Sequence, residues 1–168
     1  MGDTVIDATA GNGHDTVFLA QLVGRQGRVW AFDVQSSALA STQEKLQQQD
    51  LSAQVSLIQS GHECMEKYCQ HGVKAIMFNL GYLPGADKQY TTQAATSLQA
   101  IKAGLSLLAK NGLMSIVLYP GHAQGKIEAQ TIENWVSSLS QQEFAVLQYR
   151  FINRVNDPPY ALLLHKRV

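Results

Sequence analysis

Two carboxylates and a pair of glycines near the start of the chain have the types and spacing for chemistry. The segment Asp7-Ala8-Thr9-Ala10-Gly11-Asn12-Gly13-His14-Asp15-Thr16 follows a short apolar run. Glycines at 11 and 13 let the backbone turn tightly and meet a ligand with no Cβ in the way. A dinucleotide fingerprint, G-x-G-x-x-G, needs a third glycine where Thr16 stands, and a P-loop needs Gly-Lys-Ser/Thr, which is absent. The pattern present is D-x-x-x-G-x-G, which suits S-adenosylmethionine, a ligand whose amino-acid end is a zwitterion beside a sulfonium and which has no pyrophosphate. Asp7 would orient the loop and attract the ligand's ammonium group, directly or through water. Asp33 lies 22 residues beyond Gly11 at the end of the second apolar run, where a carboxylate can accept both ribose hydroxyls. Thr9, Asn12, Asp15 and Thr16 complete the loop, Val34 follows Asp33, and Gly61-His62 sits where an adenine edge would lie. The plainer alternative makes the two acids solvated caps and the glycines a turn. The combination of all these features favours the cofactor.

A second cluster would manage the methyl acceptor. Asn79-Leu80-Gly81-Tyr82 ends the fourth apolar run. Amine-methylating enzymes often carry (N/D)-P-P-(Y/F/W) there; here the amide and the aromatic keep that spacing while both prolines are replaced. Asn79 would accept hydrogen bonds from an NH₂ group, and Tyr82 would stack on a base or enclose a cationic methyl. Asp157-Pro158-Pro159-Tyr160 matches that motif better by letters, yet it lies near the C-terminus and reads as a rigid turn. Tyr119-Pro120-Gly121-His122 ends the fifth run; His122 is either a proton acceptor for an ammonium substrate or an exposed loop histidine. Asp87 joins Asn79, Tyr82 and His122 on the acceptor side. His62, Cys64, Cys69 and His71 cannot converge on one metal, because on a helix 62 and 69 share a face about 200° from that of 64 and 71. No metal is expected.

The elements that position these residues alternate regularly. Strands are expected at Thr4–Thr9, Arg28–Val34, Val55–Gln59, Val73–Leu80 and Leu113–Tyr119. Helices are expected at Asp15–Val23, Ser36–Gln49 (N-capped by Ser36 or Ser37), His62–Gln70, Thr92–Leu108 and Gly125–Ser140, with Asn111-Gly112 as a helix stop. Tyr82–Tyr90 reads as a loop. Phe144–Ile152 and Tyr160–Lys166 then follow with no helix between them, which makes an antiparallel hairpin. The expected fold is α/β: a Rossmann-like, seven-stranded, mostly parallel sheet in one domain spanning 1–168.

Composition narrows the partners. Lys+Arg and Asp+Glu are 13 each, and charged residues make up only 15%, below the roughly 25% usual for soluble domains. A surface coated with phosphate contacts is excluded. Arg150 and Arg154, with Lys166 and Arg167, form the best local basic patch. Two cysteines are too few for a secreted disulfide scaffold, and no leader or bilayer-length apolar run is visible. The expectation is a reduced, cytoplasmic setting with no membrane partner. An N-terminal helix of a longer gene product would lie ahead of the first strand.

Residues 7–16, Asn79-Leu80-Gly81-Tyr82-Leu83-Pro84-Gly85 and Tyr119-Pro120-Gly121-His122 resemble the small bacterial methylases of the putative rRNA methylase family, the YtqB/MnmM type. The resemblance covers nearly the whole chain. It implies a class I methyltransferase fold, S-adenosylmethionine as cofactor and often a homodimer. It also implies an RNA substrate: characterised members methylate the 5-aminomethyl group of the modified wobble uridine in tRNA, which points to the anticodon region. An rRNA base or a small-molecule amine as acceptor, and a catalytically inactive cofactor-binding module, are the alternatives. One departure is Gly85-Ala86-Asp87 where the family commonly has Gly-Gly-Asp. Ala86 takes positive φ less easily than glycine, which bears on the shape of that loop.

Overall fold

A computed structural model describes residues 2–81 and 93–168. The elements run β1 (Thr4–Asp7), α1 (His14–Val23), β2 (Arg28–Asp33), α2 (Ser36–Gln48), β3 (Val55–Gln59), β4 (Val73–Asn79), α3 (Ala94–Leu107), β5 (Leu108–Leu118), α4 (Ala123–Val136), β6 (Phe144–Tyr149) and β7 (Tyr160–Lys166). Short 3₁₀ turns at Ser52–Gln54 and His62–Lys67 flank β3. The strands form one seven-stranded sheet in the order β3-β2-β1-β4-β5-β7-β6. All pairings are parallel except those of β7 with β5 and with β6.

Side chains alternate across the sheet, so its two faces can feed two cores. On one face Val5 and Val29 pack with Leu19, Ala20 and Val23 of α1 and Leu46 of α2. On the other, Ile76, Phe78, Met114, Ile116, Leu162 and Leu164 meet Ala100, Ile101 and Leu105 of α3 and Ala129 and Ile132 of α4. Beyond β4 the first face leaves Leu113, Leu163, Leu147 and Tyr149 exposed. Every parallel strand ends on the same edge, and β7 begins there, with Tyr160 opposite Leu118. The connection 150–159 therefore emerges on that edge, next to the end of β5. Among the described residues no helix is long and apolar enough to cross a membrane.

Several local expectations are corrected. Asn111-Gly112 does not stop α3; the helix ends at Leu107 and β5 begins at once. From Leu108 to Leu113 β5 bulges against the two steps of β4 from Val73 to Ala75, and Asn111 sits inside this bulge with φ 59°. An Asn-Gly pair supplies positive φ equally well to a bulge or a helix stop, so local sequence does not distinguish them. Neither Ser36 nor Ser37 caps α2: Gln35 holds that position without a side-chain cap, and Asp33 Oδ1 accepts the Gln35 N–H at 2.8 Å. The segment after β3 is a 3₁₀ turn ending at Lys67. Helix α4 starts at Ala123 and stops at Val136, and β6 stops at Tyr149.

Candidate active site

The loop after β1 is built by hydrogen bonds from below. Asp7 is buried. Its Oδ1 accepts the Thr9 N–H at 3.1 Å and its Oδ2 accepts the Thr16 hydroxyl at 2.5 Å. Burial pushes its carboxyl up to about 6 against the opposing effect of the Thr16 and Thr9 bonds, with the charges of Asp15 and Asp33 adding to the rise. Both oxygens are thus engaged in shaping the loop and the first turn of α1. Gly11 and Gly13 have φ of 51° and 84°, in the left-handed region that side chains rarely adopt. At Gly13 there is also no room: an added Cβ would lie 2.7 Å from Thr42 Oγ1.

Asp33 reaches the loop from β2. Its Oδ2 accepts the Gly11 N–H at 2.9 Å while Oδ1 takes Gln35. An ionised carboxylate offers about four lone-pair sites, so two remain for a diol. Val34 beside it is exposed, a free apolar surface at the same strand end. From the turn after β3, His62 is buried, with Nδ1 3.1 Å from the Ala8 carbonyl and its ring edge-on to Phe78. A carbonyl only accepts, so Nδ1 carries the hydrogen. Burial holds the imidazole below its ordinary value, the Ala8 bond opposing, which leaves a neutral ring. Gly61, half-buried, precedes it.

Strand β4 delivers residues expected on the acceptor side. The Asn79 N–H donates to Thr9 Oγ1 at 2.7 Å, which ties the end of β4 to the glycine loop across 70 positions of sequence. The Asn79 side chain lies near the Tyr119 phenol; burial raises that phenol above its ordinary value, the Asn79 side chain opposes the rise, and the Asp15 charge adds to it. The same ring covers Gly81, where an added Cβ would sit 3.4 Å from it. His122 caps α4, its Nδ1 accepting the Gly125 N–H at 3.1 Å. A proton placed on Nδ1 would break that cap. Tyr82 and Asp87 lie outside the described residues.

Three participants were not anticipated. Thr42 on α2 donates its hydroxyl to the Gly11 carbonyl at 3.0 Å, and Lys45 donates its ammonium to the Asn12 carbonyl at 2.6 Å. The signal for Thr42 was present: it is the hydroxyl on a buried stripe with Ala38, Leu39 and Leu46. Lys45 offered no signal, because a lysine one turn from a helix end usually faces water. Tyr119 stood in a noted motif, but its place beside Asn79 depends on β4 and β5 lying side by side.

Other chemistry-bearing groups lie apart. Burial pushes the Cys69 thiol up to about 12, which makes it inert at neutral pH. Among the described residues no cluster of three His, Cys, Asp or Glu could hold a metal ion. A groove of about 680 Å³ between α4 and β6 is lined by Glu133, Gln148 and Arg150 among others and contains none of the loop residues above.

A doubly wound sheet with an antiparallel seventh strand, a glycine turn after β1 and carboxylates ending β1 and β2 defines the Rossmann-like methyltransferase class. Residues 29–165 match the family described as "Putative rRNA methylase", and the chain belongs to that family. It is 44% identical to a putative rRNA-methylase from Clostridium thermocellum, with a TM-score of 0.96 over 98% of this chain and 89% of the other. It is 42% identical to a putative methyltransferase from Streptococcus mutans solved in complex with SAH, with a TM-score of 0.89 over 98% and 88% of the two chains. A chloroplastic tRNA (mnm(5)s(2)U34)-methyltransferase from Arabidopsis thaliana is 36% identical over 163 residues, 91% of this chain. The chain spans 60% of the length of that relative.

Proposed function

We propose that this protein is an S-adenosylmethionine-dependent methyltransferase acting on RNA, and that its acceptor is the amine of the 5-aminomethyl group on the modified wobble uridine of tRNA, in the anticodon region. The single observation that carries the acceptor half is the tie of Asn79 to the glycine loop. Its backbone N–H donates to Thr9 Oγ1 in the glycine loop at 2.7 Å and its side chain lies near the Tyr119 phenol, so an amide stands at the mouth of the cofactor loop. The Arabidopsis relative supports the choice of RNA and of nucleoside, and the Streptococcus mutans structure supports the cofactor.

The loop fits the cofactor on its own geometry. Gly11 and Gly13 expose bare backbone, Asp33 keeps lone pairs for a ribose diol while holding Gly11, and neutral His62 closes the floor. When bound, the cofactor supplies an electrophilic methyl on a sulfonium. Asn79 would accept an N–H of the amine and aim its lone pair at that carbon; Tyr119 would hold the amide in place. Tyr82 would flank the base. An ammonium has no lone pair, so the amine must first lose a proton, and Asp87 or His122 would receive it. At His122 this would cost the α4 cap. Rate enhancement would come mainly from placement.

Incubation with methyl-deuterated S-adenosylmethionine and tRNA carrying the unmethylated aminomethyl uridine tests the reading. Nucleoside mass spectrometry should show the heavy methyl on the wobble uridine alone. Label in ribosomal RNA instead, which the family description keeps in view, or in no RNA, would refute it.

A further inference from the structure

We propose that the connection between β6 and β7, residues 150–159, is a stacking platform that grips an unpaired stretch of the RNA substrate; this rests on the RNA reading above. The location comes first. Tyr160 pairs with Leu118, so the connection rises from the sheet edge that carries Asp33, Asn79 and Tyr119. Lys126 of α4 bonds Asp157 at 2.7 Å, and the Asp157 carbonyl lies 3.9 Å from where a Cβ on Gly121 would be. Asn156 and Asp157 take φ of 67° and 46° ahead of Pro158-Pro159, so the turn is held in one unusual shape.

What this segment presents is unusual for a surface. Phe151 is 52% exposed, Val155 81% and Ile152 96%, and Tyr149 just before them is 70% exposed. The Arg154 guanidinium sits 5.1 Å from the centre of the Phe151 ring, and that of Arg150 sits 5.7 Å from the Tyr160 ring. Exposed rings and guanidinium groups side by side are what splayed nucleobases pack on, because every base has a π-face. Asn153 and Asn156 add groups able to read base edges. Charge agrees: the one acid of the segment is met by Lys126, leaving two arginines. A chain of zero net charge cannot hold RNA by coating it, so a few planar cations and rings must do it. Any occupant here also faces the strand ends, where the substrate itself must enter, and that favours the substrate over a second copy of the chain.

The test measures binding of a fluorescent anticodon stem-loop RNA to the full chain, with calorimetry of S-adenosylhomocysteine as control. Phe151→Ala with Arg154→Ala should weaken RNA binding roughly tenfold or more and leave nucleoside affinity and melting temperature unchanged. Arg154→Lys keeps the charge and loses the plane, so it should recover only part of the loss. If the wild type methylates RNA and the double variant binds the stem-loop equally well, the platform is refuted while the RNA reading stands. If the wild type neither binds nor methylates RNA, both fall. If the double variant splits a wild-type dimer in sedimentation and RNA affinity per protomer holds, the segment is a self-association surface and the proposal is overturned.

Discussion

Replacing Asp7 with asparagine should remove a pH dependence of stability that the fold has built into the glycine loop. The wild-type carboxyl is buried and its pKa is raised from 3.8 to about 6. Between those values the folded protein binds more protons than the unfolded chain, so this group lowers stability as pH rises and its effect is complete above the folded value. At 1.36 kcal/mol per pH unit the whole change is about 3 kcal/mol. Asparagine is nearly isosteric and can keep both contacts. Its oxygen would still accept the Thr9 N–H, and its NH₂ would donate to Thr16, whose hydroxyl turns from donor to acceptor. Urea unfolding of both proteins from pH 4 to pH 8 isolates the term, because every other titrating group is shared. The variant should gain on the wild type by about 2.4 kcal/mol between pH 4 and pH 7, about 2 kcal/mol of it between 4 and 6, the rest of the change lying below pH 4. A difference that stays flat across that range would refute the assignment of Asp7 as a buried, proton-binding loop brace. A deficit for asparagine that grows with pH would show that the charge is paired in the folded state.

Three further outcomes follow from the geometry. Thr42→Val removes the donor to the Gly11 carbonyl and should cost about 1–2 kcal/mol; calorimetry should show weaker binding of S-adenosylhomocysteine, with Thr42→Ser restoring most of it. Gly13→Ala meets both a positive φ and the Thr42 side chain, so it should destabilise by at least about 1–2 kcal/mol, read as a lowered midpoint in urea. Asn79→Ala should reduce turnover on RNA by about 100-fold or more while leaving cofactor affinity within about twofold, a split that single-turnover kinetics and calorimetry resolve together.

Much of this protein is legible in its sequence. The alternation of apolar runs and helical stretches, and the loss of the intervening helix before Tyr160, determine a parallel sheet with one reversed strand, because local periodicity reports which faces must be buried. The conjunction of Asp7, Gly11, Gly13 and Asp33 carries the cofactor class, since positive-φ turns and strand-end acids have few other uses together. Tertiary structure alone decided how these residues cooperate. Asp7 spends both oxygens on Thr9 and Thr16, Asp33 reaches 22 positions back to Gly11, and α2 braces the loop with Thr42 and Lys45. Asn79 gains its place only because β4 lies between β1 and β5. The same holds for Asn111-Gly112, whose left-handed turn served a bulge once β5 had β4 to pair with. Sequence patterns record what each segment can do with its own neighbours. A hydrogen bond across 70 residues depends on strand order and register, which are set when the whole sheet closes on its two cores.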